Sequence, residues 1–501
     1  MKNYFLWTIL FLSGPFFAQQ GITGTVRDAQ SKQAISDVLI YVPAFQIQVR
    51  TDAKGMFALP FTWTDQQVVQ VKHPEYETIE TMLIGNTSNL LFELNLGHMT
   101  TEEVTVSSQQ LTSRSKNTVP MEVRSLNDLQ LSGAMQVSSL LTKIPGVYAS
   151  SLGNGIAKPV IRGMQGMRVV TLVNGLRLEG QQWGGDHGLG IGELALGSVE
   201  VIKGPASVLY GADALGGVVY LVDEPYERIG QQTLVFQQKF NQSTKGTSSS
   251  FTFKKSRGNK RFLLAGSYAN HADFLLPNGL YAKNSRFHES VAKASYSWFK
   301  PNQFHQFKYA FNNNVTGIPG HTHDSLATPL SFQVPVQARR YSLPAQFFTN
   351  QLLSYEYKYF SRGQEFNLLL GQTHNRLVEY DEKVTKPFME MDLLNSIYQI
   401  KWTKKWHSQQ LIMGVAGMLQ MNLNAPIAED ELLPNALTFD QGLFGLYKYD
   451  LSPKHFIQVG LRQDLRWIQT QALTESILKR YASPNVSAGW SWQMLKTLRH
   501  R

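Results

Sequence analysis

The sequence has no cysteine among its 501 residues, which excludes disulfide bonds, a lipid-anchored N-terminal cysteine and thiolate metal sites. Charged residues make up 17% of the chain, below the roughly 25% that is usual in soluble proteins. The net charge of +10 is scattered, without a dense lysine and arginine run. This pattern argues against nucleic acid as a partner and favours an anionic membrane surface or a solvated exterior.

The N-terminus has the pattern of an export signal. Lys2 supplies the positive start, residues 4–17 form a short apolar stretch, and Ala18 precedes two glutamines. The stretch is shorter than the ~18 residues that a membrane-spanning helix needs, and no later segment is long and apolar enough. We therefore predict a signal peptide over residues 1–18. An exported chain without spanning helices can still enter a membrane as a closed β-barrel.

The 39 glycines and the 11% aromatic residues favour strands and turns, and a chain of this length predicts several domains. Short alternating strands recur between turn signals over residues 21–97 and predict a small antiparallel β-sandwich. Its expected strands are 23–27, 34–42, 49–51, 56–59, 68–72 and 90–96. A polar linker, residues 98–120, follows.

Residues 121–223 predict a compact domain of mixed strands and short helices. A helical pattern covers 126–141, and Asn174-Gly175 is typical of a hairpin turn between apolar strands. Gly204-Pro205 and Gly216-Gly217 indicate sharp backbone bends.

From residue 224 to 501 the sequence changes to repeated amphipathic strands. Ala294, Tyr296 and Trp298 alternate with polar neighbours, and the same period of two recurs over 307–311, 353–359 and 486–492. This period predicts a transmembrane antiparallel β-barrel, with apolar residues facing lipid and polar residues facing the lumen. The expected fold class is therefore mainly β.

The expected barrel is incomplete. Plugged outer-membrane transporters have about 22 strands, and only roughly a dozen candidates of ~10 residues fit here. The chain also finishes on the polar segment 498–501. We expect it to be a fragment or the product of an early stop.

Four motifs within residues 121–223 carry a family resemblance. They are Val160-Ile-Arg-Gly-Met164, Arg168-Val-Val-Thr-Leu-Val-Asn-Gly175, Val199-Glu-Val-Ile-Lys-Gly-Pro205 and Val208-Leu-Tyr-Gly-Ala-Asp-Ala-Leu-Gly-Gly-Val-Val219. In this order and spacing they resemble the plug domain of TonB-dependent receptors. The resemblance implies active transport across the bacterial outer membrane, with no enzymatic activity and no cofactor. The implied partners are TonB of the inner-membrane TonB–ExbB–ExbD complex, outer-membrane lipid and lipopolysaccharide, and a small-molecule or metal substrate.

Two N-terminal features extend the resemblance. Gly24-Thr-Val-Arg-Asp28, Thr51-Asp-Ala-Lys-Gly-Met-Phe57 and His73-Pro-Glu-Tyr76 resemble the carboxypeptidase-regulatory-like domain, an accessory module that would lie in the periplasm. In the linker, Thr101 to Val106 resembles a TonB box, in which an extended, β-branched segment adds itself to a partner's sheet edge. The implied TonB contacts are Glu102, Glu103, Val104, Thr105 and Val106, with an unspecialised linker as the alternative.

Two stretches are candidate substrate sites. The segments 180–188 and 316–324 together resemble the zinc-uptake branch of these receptors. Imidazole and carboxylate groups suit Zn²⁺. The candidate ligands are Asp186, His187, His321, His323, Asp324 and Glu379. Alternatively, Asp186 and His187 only form hydrogen bonds in the plug, and the substrate is a ferric siderophore or other chelate, haem, cobalamin or a glycan.

Two further function classes remain open at this point. A non-transporting surface receptor or adhesin needs neither a plug nor a TonB box. An enzyme needs a set of catalytic or substrate-binding residues with a recognisable pattern. Residues 211–216 have the glycine spacing of a phosphate-binding loop, but the lysine and the serine or threonine that should follow are missing. The sequence also has no nucleophile elbow and no His-Glu-x-x-His motif. Within the plug, polar contacts with the barrel are expected from Arg162, Arg168, Glu200 and Lys203.

Overall fold

The structure is a computed structural model that describes residues 21–500, apart from 60–61, 64–65, 74–75, 86–88, 96–120, 127–136, 154, 185–186, 204–206, 301, 320–327, 362–363, 407, 453, 473–474 and 494–498. The predicted signal peptide (1–18), the linker (98–120) and its TonB-box segment lie outside these residues. Within them, no helix is long and apolar enough to cross a membrane.

The N-terminal unit is a sandwich of two sheets, in the orders β4-β1-β7 and β3-β2-β5-β6. Its strands are β1 (Ile22–Asp28), β2 (Leu39–Val42), β3 (Ile47–Arg50), β4 (Met56–Leu59), β5 (Gln66–His73), β6 (Tyr76–Ile84) and β7 (Leu90–Leu94), with a 3-10 helix at Pro43–Phe45. Alternate residues of each strand enter one apolar core that includes Val26, Ile40 and Trp63.

Three expectations for this unit are wrong. The sandwich is not wholly antiparallel, because β1 pairs with β7 in parallel. The strand expected over 34–42 begins only at Leu39, since Asp37 adopts a left-handed backbone conformation (φ 60°) that interrupts it. Strand β6 was not expected; among the described residues it pairs with β5 alone, and its exposed Met82 and Ile84 obscure the alternation.

The second unit has a five-stranded sheet, β12-β11-β14-β13-β8, and a separate hairpin, β9-β10. The strands are β8 (Met121–Ser125), β9 (Val147–Leu152), β10 (Ile156–Ile161), β11 (Val169–Val173), β12 (Leu176–Arg177), β13 (Leu196–Lys203) and β14 (Gly217–Asp223). Helices α1 (Val137–Leu141) and α2 (Ser207–Tyr210) and 3-10 turns at Gly166–Arg168 and Glu179–Gln182 complete it.

Local turn chemistry is confirmed in this second unit. Asn174 and Gly175 both have positive φ, 55° and 85°, and Val173 pairs with Leu176 across them, as a two-residue hairpin requires. Of the helix expected over 126–141, Leu126 and α1 are described as helical, while 127–136 fall outside the described residues.

The remaining chain forms one large antiparallel sheet that follows chain order and has 13 strands within the described residues. They are β15 (Gln232–Asn241), β16 (Gly246–Arg257), β17 (Lys260–His271), β19 (Phe287–Lys300), β20 (Gln303–Gly317), β22 (Ala345–Ser361), β23 (Gln364–Tyr380), β24 (Met389–Trp406), β25 (Gln409–Asn424), β26 (Asn435–Ser452), β27 (His455–Ala472), β28 (Glu475–Gln493) and the two-residue β29 (Arg499–His500). Two short strands, β18 (Tyr281–Ala282) and β21 (Gln333–Val334), pair with each other outside it, near a 3-10 turn at Pro329–Phe332.

The large sheet has the predicted two-sided character. On β19, Lys293, Ser295 and Ser297 are buried whereas Tyr296 is 38% exposed. Buried residues of this sheet, such as Leu352 and Phe444, join the apolar clusters of the second unit. That unit therefore packs against the polar face of the sheet, which is the arrangement expected of a plug inside a barrel.

The two ends of the sheet differ in their connections. At one end, strands are joined tightly, as at 257–260, 300–303 and 452–455. At the other end most connections are longer, including 271–287 and 317–345, although those at 241–246 and 472–475 are short. We call these the short-turn end and the long-loop end. Outer-membrane barrels have short periplasmic turns and longer extracellular loops.

Candidate functional site

A buried lysine positions the segment that carries the first candidate site. Lys158 lies on β10 and is 1% exposed. Its Nζ donates hydrogen bonds to the carbonyl oxygens of Gly180 (2.9 Å), Gln181 (3.3 Å) and Gly184 (2.6 Å). One ammonium group thus binds three carbonyl oxygens of an irregular segment. These hydrogen bonds fix the backbone conformation of the segment that precedes His187.

His187 is fully enclosed, and its tautomer follows from its contacts. Nδ1 contacts the backbone carbonyl of Trp183, and because a carbonyl only accepts hydrogen bonds, Nδ1 must carry the proton. The other nitrogen, Nε2, lies 3.4 Å from Oε2 of Glu379. Trp183 is itself buried against Phe348, with the ring centroids 5.2 Å apart, so the imidazole is held on a rigid support.

Glu379 lies near the end of β23, at the long-loop end of the sheet. Its side chain is only 11% exposed. Gln346, its register partner on β22, donates a hydrogen bond of 3.0 Å from Nε2 to the same Oε2. A neutral imidazole with its proton on Nδ1 would point a lone pair at this carboxylate. A proton shared by the two groups, or a bound cation between them, would turn this contact into an attractive one.

The geometry is compatible with the cation. Ligands bound to Zn²⁺ at ~2.0–2.1 Å in a tetrahedron lie ~3.4 Å apart, and the Nε2–Oε2 separation is 3.4 Å. Metal-binding histidines usually donate their other ring N–H to a carbonyl, and metal-binding carboxylates are themselves hydrogen-bonded. The Trp183 carbonyl and the Gln346 amide occupy these two positions. Two ligands do not complete a tetrahedron, and the described residues contain no group of three His, Asp or Glu side chains that could hold an ion.

The structure thus brings together two of the sequence-predicted ligands, His187 from the plug-like unit and Glu379 from the large sheet. The other four, Asp186, His321, His323 and Asp324, lie outside the described residues. The same holds for the expected TonB contacts, Glu102, Glu103, Val104, Thr105 and Val106.

A second polar site joins the two units through four charged residues. Asp213 of the plug-like unit accepts hydrogen bonds from Arg177 Nη2 (2.8 Å) and from Arg466 Nη2 of β27 (2.9 Å). Arg466 also contacts Asp440 of β26 at 2.6 Å. We call these four residues the charge latch. Burial works against ionisation of Asp213, yet the guanidinium groups of Arg177 and Arg466 lower its pKa to about 2.

Two lysines form a further polar contact at the end of β14. The carboxylate of Asp223 forms ion pairs with Nζ of Lys293 and with Nζ of Lys308, each at a distance of 3.1 Å. Burial again opposes ionisation, but the two ammonium groups lower the pKa of Asp223 to about 2. Lys308 also donates to Oδ1 of Asn174 at 2.9 Å, so this corner of the plug-like unit is anchored through charge.

The sequence predicted polar contacts of this kind, and the contacts described above involve residues other than the four that were named. Arg162 and Arg168 are exposed, whereas Glu200 and Lys203 are buried in β13 of the plug-like sheet. No local pattern distinguishes Asp213, because its partners Arg177 and Arg466 are distant in the sequence. The position of Asp213 within the glycine-containing motif 211–216 was the one available signal.

Comparison with known proteins identifies the second unit. Residues 113–218 match the family described as TonB-dependent Receptor Plug Domain. A stretch of 122 residues is 29% identical to the vitamin B12 transporter BtuB of Photobacterium profundum, covering 24% of this chain and 20% of that transporter. The similarity in sequence is therefore confined to a fifth of that relative.

Solved structures extend the similarity to the large sheet. The FrpB iron transporter of Neisseria meningitidis (F3-3 variant) aligns with a TM-score of 0.61 at 13% identity, covering 76% of this chain and 62% of its own. The copper transporter OprC aligns with a TM-score of 0.58 at 14% identity, covering 75% and 61%. This chain thus spans less than two thirds of either structure. At such identities the likeness concerns the fold alone. Residues 113–218 therefore match the plug domain of TonB-dependent receptors, and this unit packs against a sheet with the fold of the solved outer-membrane transporters.

Proposed function

We propose that the chain acts in TonB-dependent transport of zinc or a related metal across the bacterial outer membrane. The observation that supports this substrate is the enclosed pair of His187 and Glu379, with Nε2 and Oε2 3.4 Å apart. His187 belongs to the plug and Glu379 to the barrel. A bound cation would therefore bridge the plug, which moves during transport, and the barrel, which does not. Asp186, His321, His323 and Asp324 are proposed to complete the coordination.

Energy coupling is assigned to the linker. In this proposal TonB, driven by the inner-membrane TonB–ExbB–ExbD complex, pairs with residues 102–106 as an added strand and pulls on the plug. The contacts that oppose this pull include polar ones, as at the charge latch and at Asp223. Water can replace such polar contacts, so part of the plug can yield locally while its apolar contacts with the barrel stay in place.

The proposed orientation follows from the two ends of the sheet. Short turns belong in the periplasm and long loops outside the cell, so the His187–Glu379 pair faces outward. The N-terminal sandwich, which we propose to be a carboxypeptidase-regulatory-like domain, then lies in the periplasm after removal of signal peptide 1–18. The barrel strands contact outer-membrane lipid and lipopolysaccharide.

A second candidate substrate is a metal chelate, such as a ferric siderophore, haem or cobalamin. The relative named as a vitamin B12 transporter favours it. Such a ligand would be bound as a preformed complex, so His187 and Glu379 would contact the chelate by hydrogen bonds rather than bind a bare ion.

The test is accumulation of radiolabelled Zn²⁺ and of a labelled ferric siderophore by cells that produce the protein, compared with cells that lack it. Saturable zinc accumulation that needs the protein supports the first candidate. Accumulation of the chelate alone supports the second. Failure to accumulate either would contradict both substrate proposals and favour a non-transporting surface receptor.

A further inference from the structure

An arginine of the barrel holds the N-terminal sandwich. Arg261 is the second residue of β17, directly after the turn at the short-turn end, and it is 2% exposed. Its Nη1 donates to the carbonyl of Gln46 at 2.6 Å and its Nη2 to the carbonyl of Phe45 at 2.7 Å. These carbonyls follow the 3-10 turn Pro43–Phe45, where backbone acceptors lack helical partners. In the described part of the chain Arg261 forms no ion pair, and neutral backbone carbonyls of another domain accept its hydrogen bonds instead.

Aromatic rings surround the same guanidinium. Its Cζ lies 5.1, 5.5 and 5.7 Å from the ring centres of Tyr226, Phe299 and Phe304. The ring of Phe45 also meets that of Phe360 edge to face, with centroids 5.0 Å apart. We call Tyr226, Phe299, Phe304 and Phe360 the rim cluster. Its three phenylalanines belong to the same apolar core as the sandwich, so the sandwich and the short-turn rim share a buried interface.

The docked sandwich forms one wall of a cavity of about 420 Å³. Tyr41 and Lys72 of the sandwich line one side, and Asp223 of the plug and Lys308 of the barrel line others. A substrate that leaves the plug at the short-turn end would enter this cavity and meet the sandwich. The position of the sandwich is therefore that of a cover over the exit.

We propose that the N-terminal sandwich is a releasable cap, docked on the barrel by Arg261 and the rim cluster, and that substrate passes only after it leaves. The proposal rests on the transport function proposed above. Hydrogen bonds to backbone carbonyls and cation–π contacts allow release, because water can replace the carbonyls while the rings keep their contact with Arg261. The cap and the plug would thus act as two barriers in series.

A reducible cross-link tests the release directly. Gln48 of the sandwich donates to the carbonyl of Tyr226 at 3.3 Å, so Gln48→Cys and Pro225→Cys place two thiols near each other in a chain that has no other cysteine. They are joined in the full chain with a short bis-methanethiosulfonate reagent. We expect uptake of the transported substrate, zinc or the siderophore, to stop in the linked protein and to return on reduction, with substrate affinity unchanged. The two single-cysteine variants, treated alike, are expected to transport normally.

The outcomes separate the two proposals. Full uptake by the linked protein would overturn the cap and leave the transport function standing. Absence of uptake before linking would overturn the transport function and, with it, the cap's role.

Docking itself has an independent measurement. Arg261→Met is expected to raise amide hydrogen exchange across residues 44–48 by about 10-fold, because two charge-assisted hydrogen bonds are lost. The matched control is Arg257→Met, an exposed arginine at the other side of the same turn, which should leave exchange unchanged. Equal exchange in both variants would show that Arg261 does not hold the sandwich.

Discussion

Oε2 of Glu379 faces Nε2 of His187 at 3.4 Å across the boundary between plug and barrel. The Nδ1 proton of the imidazole is donated to the Trp183 carbonyl, so Nε2 and Oε2 attract each other when a further proton or a cation lies between them. A transported metal ion would be such a cation, at the point where plug and barrel meet.

Removal of either ligand should weaken zinc binding. We expect His187→Ala and Glu379→Gln to lower the affinity for Zn²⁺ by more than ~10-fold, since loss even of an outer contact typically has that effect. Calorimetric titration of the purified protein provides the measurement. His374→Ala is the matched control. His374 lies on β23, as Glu379 does, but on the opposite face of the sheet, and its Nε2 pairs with the carboxylate of Asp392 on β24 at 2.6 Å. Unchanged affinity in the first two variants would remove the site.

Zinc binding at this site should depend on pH in one direction. A protonated imidazole cannot bind a metal, so affinity should fall as the pH drops through the ordinary histidine range near ~6.5. Titration at several pH values checks this. If His187 and Glu379 form only an ion pair, protonation of the histidine strengthens that pair, and no zinc affinity should be seen at any pH.

The charge latch should stabilise the docked plug. Asp213→Asn leaves Arg177 and Arg466 without their shared carboxylate. We expect a loss of about 2 kcal/mol in local stability, seen as more than ~10-fold faster hydrogen exchange in α2 and the hairpin β11–β12. Asp430→Asn, in an exposed loop, is the control and should exchange like the unaltered protein.

The latch also predicts a pH dependence. The folded pKa of Asp213, about 2, is below its ordinary value of 3.8. Its stabilising contribution is therefore complete above pH ~4 and is lost as the pH falls towards ~2. The difference in exchange between Asp213→Asn and the unaltered protein should shrink over that range. A difference that stays constant down to pH ~2 would show that the carboxylate charge is not responsible.

Local features of this fold could be predicted from the sequence. The turn at Asn174-Gly175 depends only on residues that tolerate positive φ. The alternation along β19 depends only on which side of one strand is buried. Such features need no information about distant partners.

Pairings between distant segments could not be predicted in this way. The parallel pairing of β1 with β7 joins strands that no turn connects. His187 and Glu379 were both expected at the site as ligands, but their direct pairing depends on how the plug packs against β23. The charge latch was missed for the same reason, because neither Arg177 nor Arg466 has a local pattern that indicates a partner.

Two plug glycines should respond differently to alanine. Gly217 has φ +141°, and an added Cβ would meet the carbonyl oxygen of Ile202 at 2.5 Å. Gly146 has φ +77° with open space around it, so alanine there meets only the backbone cost of about 1–2 kcal/mol. We expect Gly217→Ala to lower the thermal stability of the plug clearly more than Gly146→Ala. Equal losses would show that the sheet at β13–β14 adjusts without cost.

The central claim is energy-coupled transport, and deletion of residues 102–106 tests it most directly. We expect the deletion to abolish uptake of radiolabelled Zn²⁺ into cells, because the segment that TonB would bind is removed. The Zn²⁺ affinity measured by calorimetry should stay unchanged, because the metal-binding residues are retained. Deletion of residues 107–111, of equal length in the same linker, is the control and should preserve uptake. Uptake at the full rate after deletion of 102–106 would contradict the account.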